Sequence, residues 1–161
     1  IDAPLQFEFF LSLLLYLVYG ENYSIRPNYK TDAYGMPISH APGNCGDIEI
    51  VGKGIYWLLE VTLIRNKTQQ LNNETTNLFR HISNQEWNEK YMSLVAPYVH
   101  EDTYNIFNAL IINYIRKHKK GEFNAKCYTT EEFIQECVSK NIFIDMKKYT
   151  DEYIQSIKER L

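Results

Sequence analysis

Residues 47–62 read D-I-E-I-V-G-K-G-I-Y-W-L-L-E-V-T. Polar and apolar residues alternate from Asp47 to Val51, the period of a half-buried strand. Gly52-Lys53-Gly54 allows a tight reversal, and Ile55 to Ile64 is rich in β-branched, aromatic and aliphatic residues. The stretch predicts an antiparallel hairpin with a glycine-containing connection. Alternation then assigns faces. Asp47, Glu49 and Val51 share one face of the first arm. In the second arm Tyr56, Leu58, Glu60, Thr62 and Ile64 share one face, and Ile55, Trp57, Leu59, Val61 and Leu63 share the other.

Glu60 therefore falls within a strongly apolar strand, where a lone carboxylate is costly unless paired or coordinated. Asp47, at the start of the partner strand, can supply a second carboxylate. Two carboxylates on adjacent strands suit a hard divalent cation such as Mg2+. A plainer alternative makes Asp47 a loop-end acid and pairs Glu60 with a Lys or Arg. Residue types alone leave both open.

Upstream, Asp2-Ala3-Pro4 reads as a helix start, with a capping Asp and Pro in the first turn. The helix runs to about Tyr19, stops at Gly20 and is apolar nearly all round, which predicts a buried helix. Glu8 is the one charged residue between Asp2 and Glu21. It is either a carboxylate favoured by the helix dipole or a third acid of a metal site. Ser24 to Tyr29 is a strand candidate, Thr31 to Gly35 a turn, and His40 to Gly46 a loop rich in breakers.

Downstream, Thr68 to Lys90 carries a helical pattern, with Leu71, Leu78 and Ile82 on one side. Ser93 to Ala96 reads as a short buried strand ended by Pro97. Asp102 to His118 is an amphipathic helix with Ile106, Phe107, Leu110, Ile111 and Tyr114 as its stripe. Lys126 to Tyr128 is a further strand candidate. Thr129 or Thr130 caps a helix over Glu131 to Lys140 in capping-box fashion, and Lys147 to Leu161 forms a last helix. Helices around a mixed sheet make this an α/β domain.

The 161 residues form one domain by size and can bury a core without staples. Apolar residues at 45% and charged residues at 23% are those of a folded domain. A net charge of −3 excludes nucleic-acid binding by bulk positive charge, leaving only a local basic patch. Cys45, Cys127 and Cys137 form no C-x-x-C pair and fit a reducing, cytoplasmic setting. Phe9 to Tyr19 is too short to span a bilayer and follows acidic rather than basic residues, so neither a membrane segment nor a signal peptide is expected. A chain that starts at Ile1 reads as part of a longer one.

Other constellations are weaker. His40 and Cys45 lack a second pair of zinc ligands. Gly52-Lys53-Gly54 leads into a strand rather than a helix and is no phosphate loop. Arg116 to Lys120 is a basic run at a helix end, favoured there by the dipole, with DNA-backbone contact as the minor reading. Trp57 is expected in the core.

Taken in order, H-A-P-G-N-C-G-D-I-E at 40–49, L-E-V-T at 59–62, then Gln70, Glu74 and Arg80-His81 resemble the catalytic domain of type IIS restriction endonucleases of the AlwI and BstNBI kind. These belong to the PD-(D/E)XK nuclease superfamily, and include nicking enzymes and small catalytic subunits of heterodimeric enzymes. The resemblance starts at the helix bearing Glu8, reaches the strand ending at Pro97, and is weaker after His100.

The resemblance implies a restriction-endonuclease-like core, a mixed central sheet flanked by helices in αβββαβ order. It also implies Mg2+-dependent endodeoxyribonuclease activity, with Mn2+ able to substitute. Asp47 and Glu60 match the metal-binding acids, the carbonyl of Val61 a further ligand, and Glu8 the acid of the first helix. Thr62 stands where most of the superfamily has Lys, and Gly46 where it has Pro. Thr cannot supply a positive charge, so Gln70, Arg80 and His81 are the candidates to compensate; Gln70, Glu74 and His81 share one helix face, and Arg80 can instead pair with Glu74. Arg65, Lys67 and Arg80 are candidate DNA contacts. The partners implied are double-stranded DNA, a separate recognition domain or subunit, and a homodimer partner or second catalytic subunit for double-strand cleavage. Two other readings remain: a non-catalytic DNA-binding or scaffold module of the same fold, and a structure-specific nuclease.

Overall fold

A computed structural model of the chain describes residues 2–40, 47–63, 82, 85–117 and 121–160. In chain order the described elements are α1 (Ala3–Tyr19), β1 (Ser24–Pro27), β2 (Lys30–Thr31), β3 (Pro37–Ser39), β4 (Ile48–Gly52), β5 (Ile55–Val61), β6 (Glu89–Ala96), α2 (Glu101–Lys117), β7 (Glu122–Thr129), α3 (Thr130–Val138) and α4 (Ile142–Arg160). Five strands form one mixed sheet in the order β1-β4-β5-β6-β7, and β2 and β3 form a separate hairpin. Neighbours from β1 to β5 are antiparallel, whereas β5, β6 and β7 run parallel. Parallel neighbours need crossover connections, and α2 lies in the one between β6 and β7.

The predicted hairpin is β4–β5, with Ile48 opposite Leu59 and Gly52 opposite Ile55. Its turn holds Lys53 and Gly54 at positive φ, 51° and 77°, the two-residue geometry that matches strand twist. Odd and even positions of β5 enter different cores. Ile55, Trp57, Leu59 and Val61 pack with Leu11, Leu15 and Tyr19 of α1, Phe133 and Cys137 of α3, and Ile142 and Met146 of α4. Tyr56 and Leu58 pack with Met92, Leu94, Cys127 and, from α2, Phe107, Ile111 and Tyr114. The sheet is thus covered on both faces, which is why β5 reads as an almost unbroken apolar run. Trp57 is fully buried, and its indole N–H donates to Ser93 Oγ at 2.9 Å.

The helix caps follow the sequence. Asp2 Oδ1 accepts the N–H of Leu5 at 2.9 Å, and Pro4 lies in the first turn. Thr129 caps α3 in a reciprocal capping box with Glu132. The first helix differs from the expectation of burial all round. One face, with Leu5, Glu8, Leu11, Ser12, Leu15 and Tyr19, is buried, but Phe10, Tyr16 and Leu17 are exposed. In α2 the buried stripe is Thr103, Phe107, Ile111 and Tyr114, while Ile106 faces outward.

Element boundaries also move. Most of the helix expected over Thr68–Lys90 lies outside the described residues. Its last part is not helical, because Glu89 and Lys90 begin β6. Lys90 looks like a surface residue in sequence, yet its buried ammonium donates to the carbonyl of Ile82 and to Tyr114 Oη, both at 3.0 Å. β7 starts at Glu122 rather than Lys126, after Gly121 at φ 84°, and the N–H of Glu122 donates to Asn88 O at 2.7 Å. The expected helix over Glu131–Lys140 ends at Val138, and Lys140 is left-handed at φ 58°. The last helix starts at Ile142 rather than Lys147, because Ile142, Met146 and Thr150 form a buried row at four-residue spacing.

Candidate active site

Asp47 precedes β4 and Glu60 sits near the end of β5. The β4–β5 register pairs Ile48 with Leu59, so one further step sets Asp47 opposite Glu60. Directly opposed residues of antiparallel strands share a face and lie within side-chain reach. The backbone tightens the junction: Asp47 N–H donates to Leu59 O at 3.1 Å, and Asn28 N–H donates to Asp47 O at 2.9 Å. The Asp47 carboxylate turns back onto β5, where its Oδ2 accepts the N–H of Val61 at 2.7 Å. Glu60 is half-buried, the one residue of β5 that is not fully buried.

This junction lies at the carboxyl ends of the parallel strands, the edge at which open α/β sheets bind ligands. There β5 ends at Val61, and Thr62 N–H donates to Val95 O of β6 at 2.9 Å.

The first helix brings Glu8 to the same end. Its carboxylate is buried, and among the described residues Oε2 finds no hydrogen-bond partner. Burial first, and the nearby charge of Asp47 second, push the Glu8 carboxyl up to about 7. His40 works the other way. Its Nδ1 lies 3.7 Å from Glu8 Oε1, and its Nε2 donates to Asp2 Oδ2 at 2.8 Å. The Asp2 hydrogen bond holds the His40 imidazolium above its ordinary pKa, and the same bond lowers that of Asp2. The N-terminal cap of α1 and the site thus share one carboxylate–imidazole chain, Asp2–His40–Glu8.

The structure therefore sets Asp47 opposite Glu60 and against the Val61 backbone, and brings Glu8 near Asp47, with Thr62 one residue beyond Val61. Gln70, Glu74 and His81, expected as catalytic residues, lie outside the described residues, as do Arg65, Lys67 and Arg80, expected at DNA. Of the basic run, Arg116 and Lys117 are exposed in the last turn of α2 and the rest lies outside the described residues. His40 was not expected as part of the site. The signal was present, since His40 opens the H-A-P-G-N stretch, but only the fold shows that it meets the first helix.

The donors are all oxygen and carry excess negative charge, and one buried oxygen is unmatched. In kind this fits a hard divalent cation. As the side chains stand, no group of three or more His, Cys, Asp or Glu among the described residues could hold a metal ion by itself. The backbone carbonyl of Val61 and donors from outside the described residues would have to complete any such shell. Among the described residues no helix is long and apolar enough to cross a membrane.

Comparison with known proteins gives the fold and the family. The small subunit of the heterodimeric restriction endonuclease R.BspD6I superposes with a TM-score of 0.66 over 100% of this chain and 92% of that one, at 18% identity. Agreement over both lengths at so low an identity establishes a shared fold, the restriction-endonuclease-like mixed sheet flanked by helices. No curated protein sequence matches the chain. The family model described as AlwI restriction endonuclease matches residues 1–136, which takes in α1, the β4–β5 hairpin, β6, α2 and β7. With the site's acids all inside that span, the chain belongs to the AlwI restriction endonuclease family.

Proposed function

We propose that this chain is the catalytic unit of a type IIS restriction or nicking enzyme, a single domain that hydrolyses DNA phosphodiester bonds with Mg2+. The observation that carries the reading is the opposition of Asp47 and Glu60 at the carboxyl ends of the parallel strands, with the buried Glu8 carboxylate near Asp47. Asp47, Glu60, Glu8 and the Val61 carbonyl would hold the ion, and Mn2+ would serve in its place. Such an ion polarises the phosphoryl oxygen and lowers the pKa of water.

The chain's own residues prepare this. The hydrogen bond from Val61 N–H fixes Asp47 against β5, so the acid is positioned before any ligand arrives. Glu8 titrates near neutrality, and the His40 imidazolium beside it favours the ionised carboxylate that a cation requires. Thr62 supplies no positive charge. Gln70 and His81 take the work that Lys does elsewhere in the superfamily, orienting water or accepting its proton, with Glu74 as a further catalytic candidate. Arg65, Lys67 and Arg80 contact the DNA backbone.

R.BspD6I is heterodimeric, and by analogy a separate recognition subunit or domain directs this chain to its sequence in the cytoplasm. One active site cuts one strand, so double-strand cleavage draws on a second catalytic unit. The absence of Lys at Thr62 favours a second reading, a scaffold that has lost its chemistry; the three retained acids favour the first.

The test is relaxation of supercoiled plasmid at high protein concentration with Mg2+, with Mn2+ and with EDTA. Nicking that needs the metal and is lost in Glu60→Ala is expected. Failure to cut in any metal, or cutting that persists in EDTA, would overturn the assignment.

A further inference from the structure

The outward face of α1 is unusual for a surface helix. Phe10 is 62% exposed, Leu13 42%, Tyr16 65% and Leu17 82%. Gln6, Phe10, Leu13 and Leu17 follow one another at spacings of four, three and four, which places them in a single row along the helix. That spacing is the seam by which one helix packs along another. An isolated exposed Leu needs no explanation, but a continuous apolar row does.

We infer that this face is an interface between two copies of the chain, formed by antiparallel packing of α1 against α1 across a two-fold axis near Leu13. Charge argues for a second copy. An isologous interface places a surface against itself, so any charge on it meets its like. No charged residue lies between Glu8 and Glu21, and Glu8 is buried on the opposite face of the helix. The row is therefore free of self-repulsion along its whole length. Shape argues the same way, since an axis near Leu13 sets Phe10 of one copy opposite Leu17 of the other, a ring against a branched aliphatic side chain.

Area sets the strength. Phe10, Leu13, Tyr16 and Leu17 together expose on the order of 400–500 Å² per copy, given that an aromatic side chain buries 150–250 Å². Two copies approach the ~1,000 Å² at which specific interfaces begin. Strand β3, which packs on α1, adds Ile38 at 61% exposure. An interface of this size gives a dimer that forms reversibly with concentration. The inference does not depend on the chemistry proposed above, because a catalytically silent chain would pair in the same way.

The experiment is sedimentation equilibrium of the chain and of Leu17→Glu over a wide concentration range, with circular-dichroism melts as the check on folding. A monomer–dimer equilibrium is expected, weakened about tenfold or more in Leu17→Glu by burial of an unpaired charge. At dilutions where both chains are monomeric, melting should be unchanged, because Leu17 is exposed in the monomer. Mixed single-cysteine variants provide a second, independent readout: Phe10→Cys should cross-link to Leu17→Cys faster than Leu17→Cys does to itself. A chain that stays monomeric at its solubility limit, one that binds only a different subunit through this face, or a dimer indifferent to Leu17→Glu would overturn the inference. So would preferential Leu17–Leu17 cross-linking.

Discussion

The carboxylate of Asp47 accepts the backbone N–H of Val61 at 2.7 Å, tying the entry of β4 to the exit of β5. The N–H would otherwise sit at a strand end with no ladder partner, and buried backbone donors are rarely left unmatched. On the proposed function, one acid serves both the fold and the site. Asp47→Ala should lower stability by about 1–2 kcal/mol, the usual worth of a charge-assisted bond to backbone at a half-buried position. Asp47→Asn keeps a carbonyl acceptor and should lose less than half of that. Both should lose cleavage by orders of magnitude. Thermal melts alongside plasmid nicking check this, and an Asp47→Asn variant that cuts normally would be decisive against the assigned role.

Glu8 makes stability depend on pH. Its native carboxyl titrates near 7 against an ordinary 4.5. Above pH 4.5 the unfolded chain gives up this proton while the native chain keeps it, so stability falls as pH rises to about 7 and then levels. The full effect is up to about 3 kcal/mol. His40, raised above 6.5 by Asp2, acts in the same direction: its contribution is complete below 6.5 and is lost as pH rises through its native pKa. Melts at pH 5, 6.5 and 8 should show Glu8→Gln more stable than the parent at pH 8 and nearly equal to it at pH 5. Mg2+ should raise the melting temperature of the parent more at pH 8 than at pH 5.5, because the cation competes with the proton. A parent chain more stable at pH 8 than at pH 5 would contradict the burial argument.

On the proposed function, Thr62 leaves a positive charge to be supplied elsewhere. Thr62→Ala should therefore reduce cleavage less than Asp47→Ala or Glu60→Ala, and less than Gln70→Ala or His81→Ala. Single-turnover nicking rates at saturating Mg2+ rank the variants. If Thr62→Ala alone abolished cutting while Gln70 and His81 proved dispensable, compensation from the segment after the hairpin would be wrong.

A chain of net charge −3 repels duplex DNA at long range. Its affinity is therefore expected to come from local cations such as Arg116 and Lys117, exposed at the end of α2, or Arg65 and Lys67. The isolated chain should bind DNA weakly, without sequence preference and with steep salt dependence. It should cut short duplexes little or not at all. Gel shifts on several unrelated duplexes at rising salt test this. Tight, salt-resistant binding to one duplex would place recognition within these 161 residues.

The hairpin at 47–62 was legible because two signals agree there: alternation sets the faces, and the glycine turn sets the register. Together they place Asp47 against Glu60 with no tertiary information. The caps at Asp2 and Thr129 were legible for a similar reason, since a cap is a contact between residues three apart. Pairing over long distances was not. Lys90 and Asn124 break the apolar pattern of β6 and β7, so those strands looked shorter than they are. Only the partners that the fold provides make the lysine's burial tolerable, the Ile82 carbonyl and Tyr114.

The sequence also could not say which side of α1 is covered. A helix apolar all round has no patterned face, and the choice belongs to the sheet and helices that pack on it. That choice turned Glu8 inward beside Asp47 and His40, and left Phe10 and Leu17 facing out. Residue types and spacing alone determined the hairpin, the placement of Asp47 opposite Glu60 and the α/β class, because these depend on local geometry. Tertiary structure alone decided the burial of Glu8, its approach to His40 and the exposed row of α1, because burial depends on what the rest of the chain brings against each face.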